Sequence, residues 1–546
     1  MSELNRRNFL KGAVAATASL AAAAALGGCS QTASSAAAGS AAASSTAASE
    51  AAQTTAEGPY LQYDICGKLS MSEFEASAAV AEPIEKFDAE ENYDVVVIGA
   101  GASGMPAAIA AYEGGASVCV LQKESTAISQ GSVSFILDAE RTNEAGKIGL
   151  LYDLRKWCNY RSNFELNLAW ANNCSEAMDW FVKKLTESGM VEGQDFNIFS
   201  EGEYHYEGGG EAYGKLCMCT GSYTAAINSL GEYFKEKFTI YFKTPAVQLI
   251  KENDKVVGVY AKKEDGTILK VTANKGVVLA TGDYQNNDAM VQKYLPDAAI
   301  FDKKQFGRTG DGHLMGLMAG AKMQNIGHTK MIHTKNWGGC CTLMKSLPFM
   351  AVNKNGVRFT SEDIPYDLRN NFVKNQPGLC WLSIFDANYQ EQYAAMGYSG
   401  RDISTPDQIA ESDGAFVADT LEDLAEQMGI DAAALVATVE RYNEMCEQGF
   451  DLEFGKPAKY MAPIKQAPFY GLHYEYAVSA ITSGLEVDKD ARVLDENGQP
   501  IEGFYAVGNC SGPFYGSVDY PLDIPGLSIS RAITLGYVVG KTLAQQ

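Results

Sequence analysis

The stretch Tyr93–Gly131 decides the fold, and it reads YDVVVIGAGASGMPAAIAAYEGGASVCVLQKESTAISQG. Asp94–Ile98 is a short valine-rich run, which is typical of a strand buried on both faces. A glycine turn follows at once, and the sequence then predicts a helix from Met105 to Glu113 and a second strand from Ser117 to Leu121. A GxGxxG pattern alone is weak evidence, but the flanking strand, helix and strand make this one a specific signal for dinucleotide binding.

The glycines of this turn have the spacing that a bound pyrophosphate requires. Gly99, Gly101 and Gly104 allow a tight turn, a close approach of backbone to phosphate, and tight packing of the helix on its strand. The phosphates are expected at the N-terminus of that helix, where free N–H groups and the dipole favour negative charge. A ribose-binding carboxylate is expected at the end of the second strand, where the chain has Gln122. Its amide can exchange hydrogen bonds with ribose hydroxyls, and Glu124 is the alternative.

Composition limits the partners of the chain. With 546 residues it allows roughly two to four domains and a large core. The formal net charge is -23, and the isoelectric point is about 4.7. An electrostatically driven nucleic-acid partner is therefore not expected.

The N-terminal segment is predicted to be an export signal and not part of the folded domain. Within residues 1–28, Arg6 and Arg7 are followed by Phe9-Leu10-Lys11 and then by an Ala-rich run too short and too weakly apolar to span a membrane, which predicts a twin-arginine signal peptide. The letters LGGC ending at Cys29 resemble a bacterial lipobox, so Cys29 is the expected lipidation site; an ordinary cysteine is the alternative. Residues 29–58 form an Ala/Ser-rich tether. We expect a cell-surface or periplasmic-side lipoprotein, held to the cytoplasmic membrane by its lipid anchor only.

Cysteine and histidine spacing gives no sign of a metal centre. The twelve cysteines have no repeating spacing and do not predict a disulfide framework. Cys217 and Cys219 lack a usual iron–sulfur spacing, so core packing is the preferred interpretation and a cluster the exception. His328 and His333 have no third ligand at a supporting spacing, so we expect no metal site.

The middle of the chain changes its periodicity. Tyr152–Val191 has a helical, amphipathic pattern. Phe238–Tyr260 and Thr267–Leu279 alternate like the strands of a small antiparallel meander, and Asp265-Gly266 between them is a hairpin signal.

The predicted fold class is α/β, with a discontinuous Rossmann-like domain and an inserted α+β capping domain. After a lead-in at 59–92, the first part of the nucleotide domain spans 93–325, and the second spans 478–546. Each ends a buried strand in a glycine turn, as in KGVVLATG and GFYAVGN. The insert at 326–477 carries two clear helices, and a cleft beside it is the expected substrate site.

Several motifs in order resemble one enzyme superfamily. VVVIGAGASG, KGVVLATGDY, TGDGHLMGLMAGA, VNKNGVRFTSED and GLEVDKDARVLDENGQPIEGFYAVGN are similar to those of the FAD-dependent fumarate reductases and 3-ketosteroid dehydrogenases, which are FAD-binding-2 type flavoproteins. The resemblance covers Tyr93 to Leu543. It implies a Rossmann-like FAD domain, a mobile capping domain, and hydride transfer between flavin N5 and a carbon–carbon bond next to a carbonyl or carboxylate. No histidine near Ser129 matches the one that carries covalent flavin, so FAD is expected to be non-covalent.

The resemblance also implies a set of FAD contacts, transferred position by position. The pyrophosphate contacts would be Gly99, Ala100, Gly101, Ser103 and Gly104, and the adenosine contacts Gln122, Lys123 and Val247. The contacts to the isoalloxazine and ribityl chain would be Ser129, Gln130, Gly131, Thr281, Gly282, Asn509, Leu527, Ser528 and Ile529. The expected set is completed by Ala280, Asp311 and Gly508.

The chain departs from the fumarate reductases where those enzymes hold a dicarboxylate. Their pattern implies an arginine acid after a Phe-Asp strand and a histidine–arginine clamp before the last helix, because two carboxylates need opposing cations. Here Phe385-Asp386 is followed by no arginine, and Phe514–Pro521 has no histidine and carries the acidic Asp519. A small dicarboxylate would be poorly held.

The remaining motifs are similar to those of the ketosteroid dehydrogenases. Tyr520-Pro521 with Pro525-Gly526 resembles their Tyr-Pro-Gly-Pro-Gly, which implies that the Tyr520 hydroxyl and the Gly526 amide polarise a ketone oxygen. Glu362 and Tyr366 lie in EDIPY, which resembles Asn-Glu-x-x-Pro-Tyr and implies that Tyr366 exchanges a proton at carbon. Arg369 would lower the pKa of Tyr366 or relay its proton. The alternative for both tyrosines is ordinary packing.

The predicted function is an extracytoplasmic FAD-dependent oxidoreductase that reduces an activated C=C bond in an enone or hydrophobic enoate. No second nucleotide motif is visible, so electrons are expected from a membrane cytochrome or an FMN-carrying protein, as in a respiratory terminal reductase. A ketosteroid-type dehydrogenase, a fumarate-like dicarboxylate reductase and a non-catalytic flavin-binding lipoprotein are the alternatives.

Overall fold

The computed structural model describes residues 71–72, 75, 84–205, 210–325, 327–335, 344, 346–398, 403–516 and 519–546. The expected signal peptide, the tether with Cys29 and most of the expected lead-in lie outside the described residues. The chain divides into two compact units. The minor unit contains Asp297–Lys304 and Lys330–Ser479, and the major unit contains the described residues up to Pro296 with Gln305–Thr329 and Ala480–Gln546.

The elements alternate between strand and helix through much of the major unit. The strands are β1 (Ala89–Ile98), β2 (Val118–Leu121), β3 (Val133–Leu137), β4 (Phe196–His205), β5 (Glu211–Cys219), β6 (Thr239–Tyr241), β7 (Ala246–Glu252), β8 (Lys255–Lys262), β9 (Ile268–Leu279), β10 (Asp302–Lys303), β11 (Lys330–Thr334), β12 (Met350–Val352), β13 (Cys380–Phe385), β14 (Ala415–Ala418), β15 (Phe469–Ile481), β16 (Leu485–Glu486), β17 (Arg492–Leu494), β18 (Pro500–Ala506) and β19 (Ser511–Gly512). The helices are α1 (Gly104–Glu113), α2 (Glu144–Trp157), α3 (Phe164–Glu187), α4 (Ser222–Phe234), α5 (Asp288–Tyr294), α6 (Asp311–Met318), α7 (Asn370–Val373), α8 (Tyr389–Tyr393), α9 (Pro406–Ala410), α10 (Leu421–Met428), α11 (Ala432–Gln448) and α12 (Leu527–Gln545).

A mostly parallel sheet forms the centre of the major unit. Its strand order is β17-β18-β9-β1-β2-β6, and β8 extends it from β9. The neighbours of β1 are both parallel to it, with Val97 opposite Val120 on one side and Val278 on the other. Val95, Val96 and Val97 have no exposed surface. The carboxyl ends of β1, β2, β9 and β18 therefore meet at one edge, where open α/β sheets bind their ligands.

Two details of the sheet differ from the sequence prediction. The first strand begins at Ala89 instead of Asp94, because its leading residues pair with the long strand β9. The predicted meander is present in β7, β8 and β9, which pair antiparallel. The prediction was wrong for β6, which instead pairs parallel to β2 with Thr239 opposite Cys119.

The two helices beside the glycine turn pack very closely. Eight of the ten residues of α1 are buried. A Cβ at Gly536 of α12 would lie 2.2 Å from the carbonyl oxygen of Ser103, and one at Gly540 would lie 2.1 Å from that of Ala107. Only glycine permits this approach, so α12 lies directly against the start of α1.

The minor unit has its own sheet and core. β15 pairs with β10, β11, β13 and β14, and β13 also pairs with β12. Helices α10 and α11 pack on this sheet around residues such as Leu424, Leu435 and Val439. Their ends follow ordinary capping chemistry, since Thr420 and Asp431 accept the N-terminal amides and glycines in the left-handed conformation end both helices.

The minor unit includes a chain segment that lies outside the predicted insert at 326–477. Asp297–Lys304 belongs to the minor unit although the sequence places it in the first nucleotide segment. The reason is strand pairing, because Asp302 lies opposite Ala477 in the β10–β15 ladder. Within the described residues, the minor unit is thus made from two separate segments.

Some features concern only the part of the chain that the structure describes. Within it no helix is long and apolar enough to cross a membrane. No group of three His, Cys, Asp or Glu side chains there could hold a metal ion. The eight cysteines in these residues are free.

Candidate functional site

The glycine turn after β1 is shaped by contacts that exclude any side chain. Gly99 has φ +105°, and a Cβ there would lie 2.4 Å from the carbonyl oxygen of Ala280. A Cβ at Gly104 would lie 1.8 Å from the carbonyl oxygen of Gly99. At Gly101 the nearest contact would be 3.4 Å away. The ends of β1 and β9 therefore meet at this turn.

The start of α1 is suited to an anion. Ser103 occupies the N-cap position without capping the helix through its side chain, and the first turn contains no acidic residue. The Ser103 hydroxyl donates to the carbonyl oxygen of Val507 at 3.5 Å. A Cβ at Gly508 would lie 2.5 Å from that hydroxyl oxygen. The end of β18 thus joins the turn, and uncapped helical N–H groups are a general phosphate-binding arrangement.

Gln122 supports the turn instead of presenting a free amide. Its Oε1 accepts from the Ala100 N–H at 3.2 Å, and its Nε2 donates to the carbonyl oxygen of Thr126 at 2.8 Å. The side chain is buried. Gln122, the expected adenosine contact, therefore connects the end of β2 to the glycine turn through its hydrogen bonds.

Lys123 and Asp311 were both expected at the cofactor, and the structure brings them together. The Lys123 ammonium donates to Asp311 Oδ2 at 2.9 Å and to the Thr309 hydroxyl at 2.8 Å. Asp311 begins α6 after Gly310, whose φ is +77°. Val247 is buried within β7.

The residues expected at the ring system also converge. Gly131 has φ +100°, and a Cβ there would lie 3.0 Å from the side chain of Ile529. The carbonyl oxygen of Ser129 accepts from the Thr224 hydroxyl at 2.5 Å. The segment 129–131, which includes Gln130, therefore lies against the start of α12, where Leu527 and Ser528 precede Ile529.

Thr281 and Gly282 continue this edge of the sheet. A Cβ at Gly312 would lie 2.1 Å from the Thr281 hydroxyl oxygen, so α6 packs against the end of β9. Gly282 has φ +77° and lies beside the Arg308 side chain. The structure thus gathers most of the expected cofactor residues at the carboxyl edge of one sheet.

Asn509 is bonded to an arginine that the sequence analysis did not single out. Arg531 Nη2 donates to Asn509 Oδ1 at 3.0 Å, and Arg531 has no exposed surface. Burial lowers the pKa of this guanidinium. Its sequence context, SISRAITLG, gives no signal of this burial, which only the packing of α12 reveals.

Tyr520 lies at the beginning of α12. Its hydroxyl oxygen accepts from the Ser528 N–H at 2.9 Å, and the residue is 2% exposed. A hydroxyl that accepts through oxygen keeps its hydrogen for another acceptor. Burial raises the pKa of Tyr520 well above the ordinary tyrosine value, so the hydroxyl is protonated at neutral pH.

Gly526 forms the N-cap of α12. It has φ +72°, and a Cβ there would lie 2.7 Å from the Cα atom of Ser134. Its carbonyl oxygen accepts from the Phe135 N–H at 3.4 Å. The contact with β3 therefore requires glycine at this position.

Tyr366 lies in the minor unit, in a short 3₁₀ helix at Tyr366–Leu368. Its hydroxyl is buried, and its ring centroid is 4.9 Å from that of His333. Burial raises the pKa of Tyr366 well above 10, while Thr334 and Arg369 oppose the shift. Tyr366 is a neutral phenol at physiological pH.

Arg369 has a structural environment instead of the expected relay geometry. Its guanidinium donates to the carbonyl oxygens of Glu362 at 3.0 Å, Leu347 at 3.3 Å and Ile364 at 3.3 Å. It also lies 4.3 Å from the ring centroid of Trp381. These contacts fix the loop that precedes Tyr366, and electrostatic lowering of the Tyr366 pKa is only a minor effect.

Glu362 is engaged in a buried ion network. Arg358 Nε donates to its Oε1 at 2.9 Å, and Lys456 Nζ lies 3.1 Å from its Oε2. Asp451 pairs with the same arginine at 2.8 Å. Charges this deeply buried require such compensation. Glu362 is therefore held in this network within the minor unit, and its catalytic role stays a prediction.

The chain matches one family model and several enzymes. The model FAD_binding_2, described as FAD binding domain, matches residues 94–519. The chain is similar to vinyl phenol reductase of Lactiplantibacillus plantarum, with 26% identity over 83% of this chain and 97% of that protein. It is also similar to urocanate reductase of Eggerthella lenta, with 27% identity over 83% of this chain and 74% of that protein.

Solved structures share the fold. A flavocytochrome c3 fumarate reductase in its open conformation has a TM-score of 0.64 at 24% identity, covering 83% of this chain and 78% of that one. A 3-ketosteroid delta1-dehydrogenase from Sterolibacterium denitrificans has a TM-score of 0.65 at 22% identity, covering 83% and 99%. These similarities indicate a mixed α/β fold with a parallel sheet.

Proposed function

The chain belongs to the FAD_binding_2 family, and from that premise we propose that it is an FAD-dependent reductase of an activated carbon–carbon double bond. Its relatives include reductases of vinyl phenol and of urocanate, which supports the reductive direction. We assign it a substrate in which the double bond is conjugated with a carbonyl, as in an enone or a hydrophobic enoate.

FAD is the cofactor, and the described residues fit it. The turn at Gly99 and Gly104 admits no side chain, and the start of α1 is uncapped. The end of β18 at Gly508 lies against Ser103. When bound, FAD supplies hydride transfer through N5 of its ring. We propose non-covalent binding, because no histidine near Ser129 matches the one that carries covalent flavin.

The single observation that carries the proposal is the environment of Tyr520. Its oxygen is held by the Ser528 amide, its pKa is raised by burial, and its hydrogen remains to donate. A fixed neutral donor in a dry site stabilises the negative charge that develops on a carbonyl oxygen during reduction of a conjugated double bond. A donor of this kind contributes about 2.7–4 kcal/mol to the transition state. Gly526 shapes the same helix terminus.

Tyr366 is the proposed source of the proton at carbon. Its hydroxyl is buried and its pKa is raised by burial, so it holds a proton throughout the neutral pH range. Arg369 and Glu362 support this residue indirectly, the first by fixing the preceding loop and the second through the ion network.

The residues before α12 favour a substrate with few charges. Phe514, Tyr515 and Tyr520 are aromatic and buried. Asp519 adds negative charge where a dicarboxylate would need a cation. A hydrophobic enone or enoate therefore fits this segment better than fumarate.

We further propose export by the twin-arginine route, lipidation at Cys29 and an external electron donor such as a membrane cytochrome or an FMN-carrying protein. The support is the sequence of residues 1–58. Metabolic labelling with radioactive palmitate tests the anchor: wild-type protein should be labelled and Cys29→Ala should not. Equal labelling of the two proteins would contradict it.

The reductase assignment is tested in the pre-steady state. Purified enzyme is reduced anaerobically with dithionite and mixed with enones, enoates and dicarboxylates, while the flavin absorbance is followed. We expect rapid reoxidation by at least one hydrophobic enone or enoate, and slow reoxidation in Tyr520→Phe. Fast oxidation by fumarate without a response to any enone or enoate would refute the substrate assignment.

The dehydrogenase direction is the second candidate. Tyr520 and Gly526 lie in the motif that resembles the ketosteroid enzymes, and the same donors serve the reverse reaction. Incubation with saturated ketosteroids and an artificial acceptor distinguishes the two. Rapid acceptor-dependent desaturation, with no reduction of enones by the reduced enzyme, would favour the dehydrogenase. A flavin-binding protein without turnover would respond in neither assay.

A further inference from the structure

Arg531 is a buried cation in the second turn of α12. The residue has no exposed surface. Besides its bond to Asn509, its Nη1 donates to the carbonyl oxygen of Ser511 at 3.5 Å. The rings of Phe514 and Tyr515 lie 5.4 and 5.3 Å from its central carbon.

No carboxylate compensates this charge among the residues that the structure describes. The groups that act on its pKa are burial, which lowers it, and then Tyr515, Tyr520 and Cys510, none of which is negative at neutral pH. Arg531 Nε is buried without a hydrogen-bond partner. Because arginine stays protonated in proteins, a net positive charge remains inside the major unit.

Arg358 is also deeply buried, but it has the opposite environment because it lies in an ionic cluster. Arg358 pairs with Glu362, Asp451 and Glu453 at 2.9, 2.8 and 3.2 Å. An uncompensated buried charge is costly. Arg369 is equally buried, but its guanidinium is satisfied by three backbone carbonyls and the ring of Trp381, whereas Arg531 Nε has no hydrogen-bond partner. Arg531 therefore indicates that negative charge arrives with a ligand of this unit.

The bond to Asn509 also fixes the direction of an amide. A guanidinium only donates, so Asn509 must turn its oxygen toward Arg531 and its N–H₂ group away from it. Asn509 follows Gly508, which lies against Ser103 at the phosphate-binding start of α1. The orientation of this amide and the buried charge thus both belong to the wall that receives FAD.

We propose that Arg531 is a positioning residue of the FAD site, which holds Asn509 as a hydrogen-bond donor and whose buried charge favours the reduced, negatively charged state of the cofactor. The inference rests on FAD as the cofactor and not on the substrate. A field from a buried charge acts without contact and is little screened.

Two substitutions separate the charge from the amide orientation. Arg531→Gln removes the charge but can still donate to Asn509, and Arg531→Lys keeps the charge with a shorter reach. Lys541→Gln is the matched control, because it removes a charge from the same helix at a half-exposed site paired with Glu176 at 2.6 Å.

The first readout is the two-electron reduction potential of bound FAD, measured by dye equilibration with dithionite as the electron source. We expect Arg531→Gln to weaken reduction about tenfold, a shift of about 30 mV to more negative values for a two-electron couple. Arg531→Lys should retain most of the wild-type potential, and Lys541→Gln should match wild type.

The second readout is the melting temperature of each protein with and without FAD. Loss of an uncompensated charge should leave apo Arg531→Gln at least as stable as apo wild type, while FAD stabilises it less. An unchanged potential in Arg531→Gln would overturn the proposal, as would a destabilised apo protein with a normal response to FAD. If Arg531→Gln does not fold, the test rests on Arg531→Lys. An unchanged FAD reduction potential with weaker FAD binding supports the proposal. A destabilised Arg531→Lys protein whose FAD binding and reduction potential are both unchanged overturns it.

Discussion

Removal of the Tyr520 hydroxyl should separate its catalytic contribution from its structural one. In Tyr520→Phe the ring stays buried, but the Ser528 N–H loses its acceptor at 2.9 Å. An unsatisfied buried donor costs about 1–3 kcal/mol of folding free energy. Loss of one donor to a developing oxyanion slows the chemical step about 10²–10³-fold, or about 2.7–4 kcal/mol. The rate effect should therefore exceed the stability effect.

Tyr515→Phe is the matched control for this prediction. The two rings lie 5.2 Å apart, and the Tyr515 hydroxyl is buried without a hydrogen-bond partner. Removal of an unbonded buried hydroxyl is neutral or stabilising. Because Tyr515→Phe keeps the aromatic ring, we expect it to lose far less of the flavin reoxidation rate than Tyr520→Phe and to keep a melting temperature close to that of wild type.

The assay combines anaerobic stopped-flow reoxidation with thermal unfolding of the holoenzymes. The pKa of Tyr520 is raised by burial, so its donor function should persist at pH values above the ordinary tyrosine pKa of about 10. A Tyr520→Phe enzyme that unfolds earlier yet reoxidises at the wild-type rate would refute the reasoning. It would leave Tyr520 as a cap for α12 alone.

Four further outcomes are expected from the contacts described. Gly99→Ala should lose the absorbance of bound flavin, because its Cβ would lie 2.4 Å from a carbonyl oxygen. Gly115→Ala is the control and should keep this absorbance, because Gly115 has a similar φ of +91° but no atom within 4 Å of the added Cβ. Equal flavin content in the two variants would contradict the prediction. Glu362→Gln leaves two buried cations undercompensated and should cost about 3–5 kcal/mol in chemical unfolding, and a smaller loss would mean that solvent reaches the network. The third outcome concerns the pH dependence of stability. Burial raises the pKa of Asp451, but Arg358 and backbone hydrogen bonds outweigh burial and lower this pKa to about 2. The stability that the Asp451 carboxylate contributes should therefore be complete above its ordinary pKa of 3.8 and be lost as the pH falls through about 2. Burial lowers the pKa of His313 to about 3, so stability of the major unit should decline earlier, from about pH 6.5 downward; an acid transition common to both units would contradict the assignment.

Local patterns predicted the parts of the fold that depend on local chemistry. The turn at Gly99–Gly104, its flanking strands and the helix α1 follow from valine runs and glycine spacing within a few residues. The helices α10 and α11 follow likewise from their capping residues. The parallel partner of β6 could not be predicted in this way, because a three-residue strand pairs with β2 through tertiary contacts.

The same distinction applies to the site. The expected cofactor residues lie in turns whose backbone geometry follows from local glycine spacing. Their meeting at one edge of the sheet could therefore be predicted from the sequence. Glu362 and Arg369 matched a motif but are bound by distant partners such as Lys456 and Trp381. Arg531 was missed because an arginine on a helix is usually exposed, and only the packing of α12 reveals that it is buried.

The contact between Ser103 and Val507 has a consequence for biosynthesis. These residues are 404 positions apart in the chain, yet their contact completes the wall of the cofactor turn. While the ribosome is still making the insert, β1 and α1 are present without β18 and α12, and such long-range closure is slow and leaves apolar surface open. We therefore expect flavin to bind only late in synthesis or after it. Ribosome-bound nascent chains that end before residue 500 should carry no FAD.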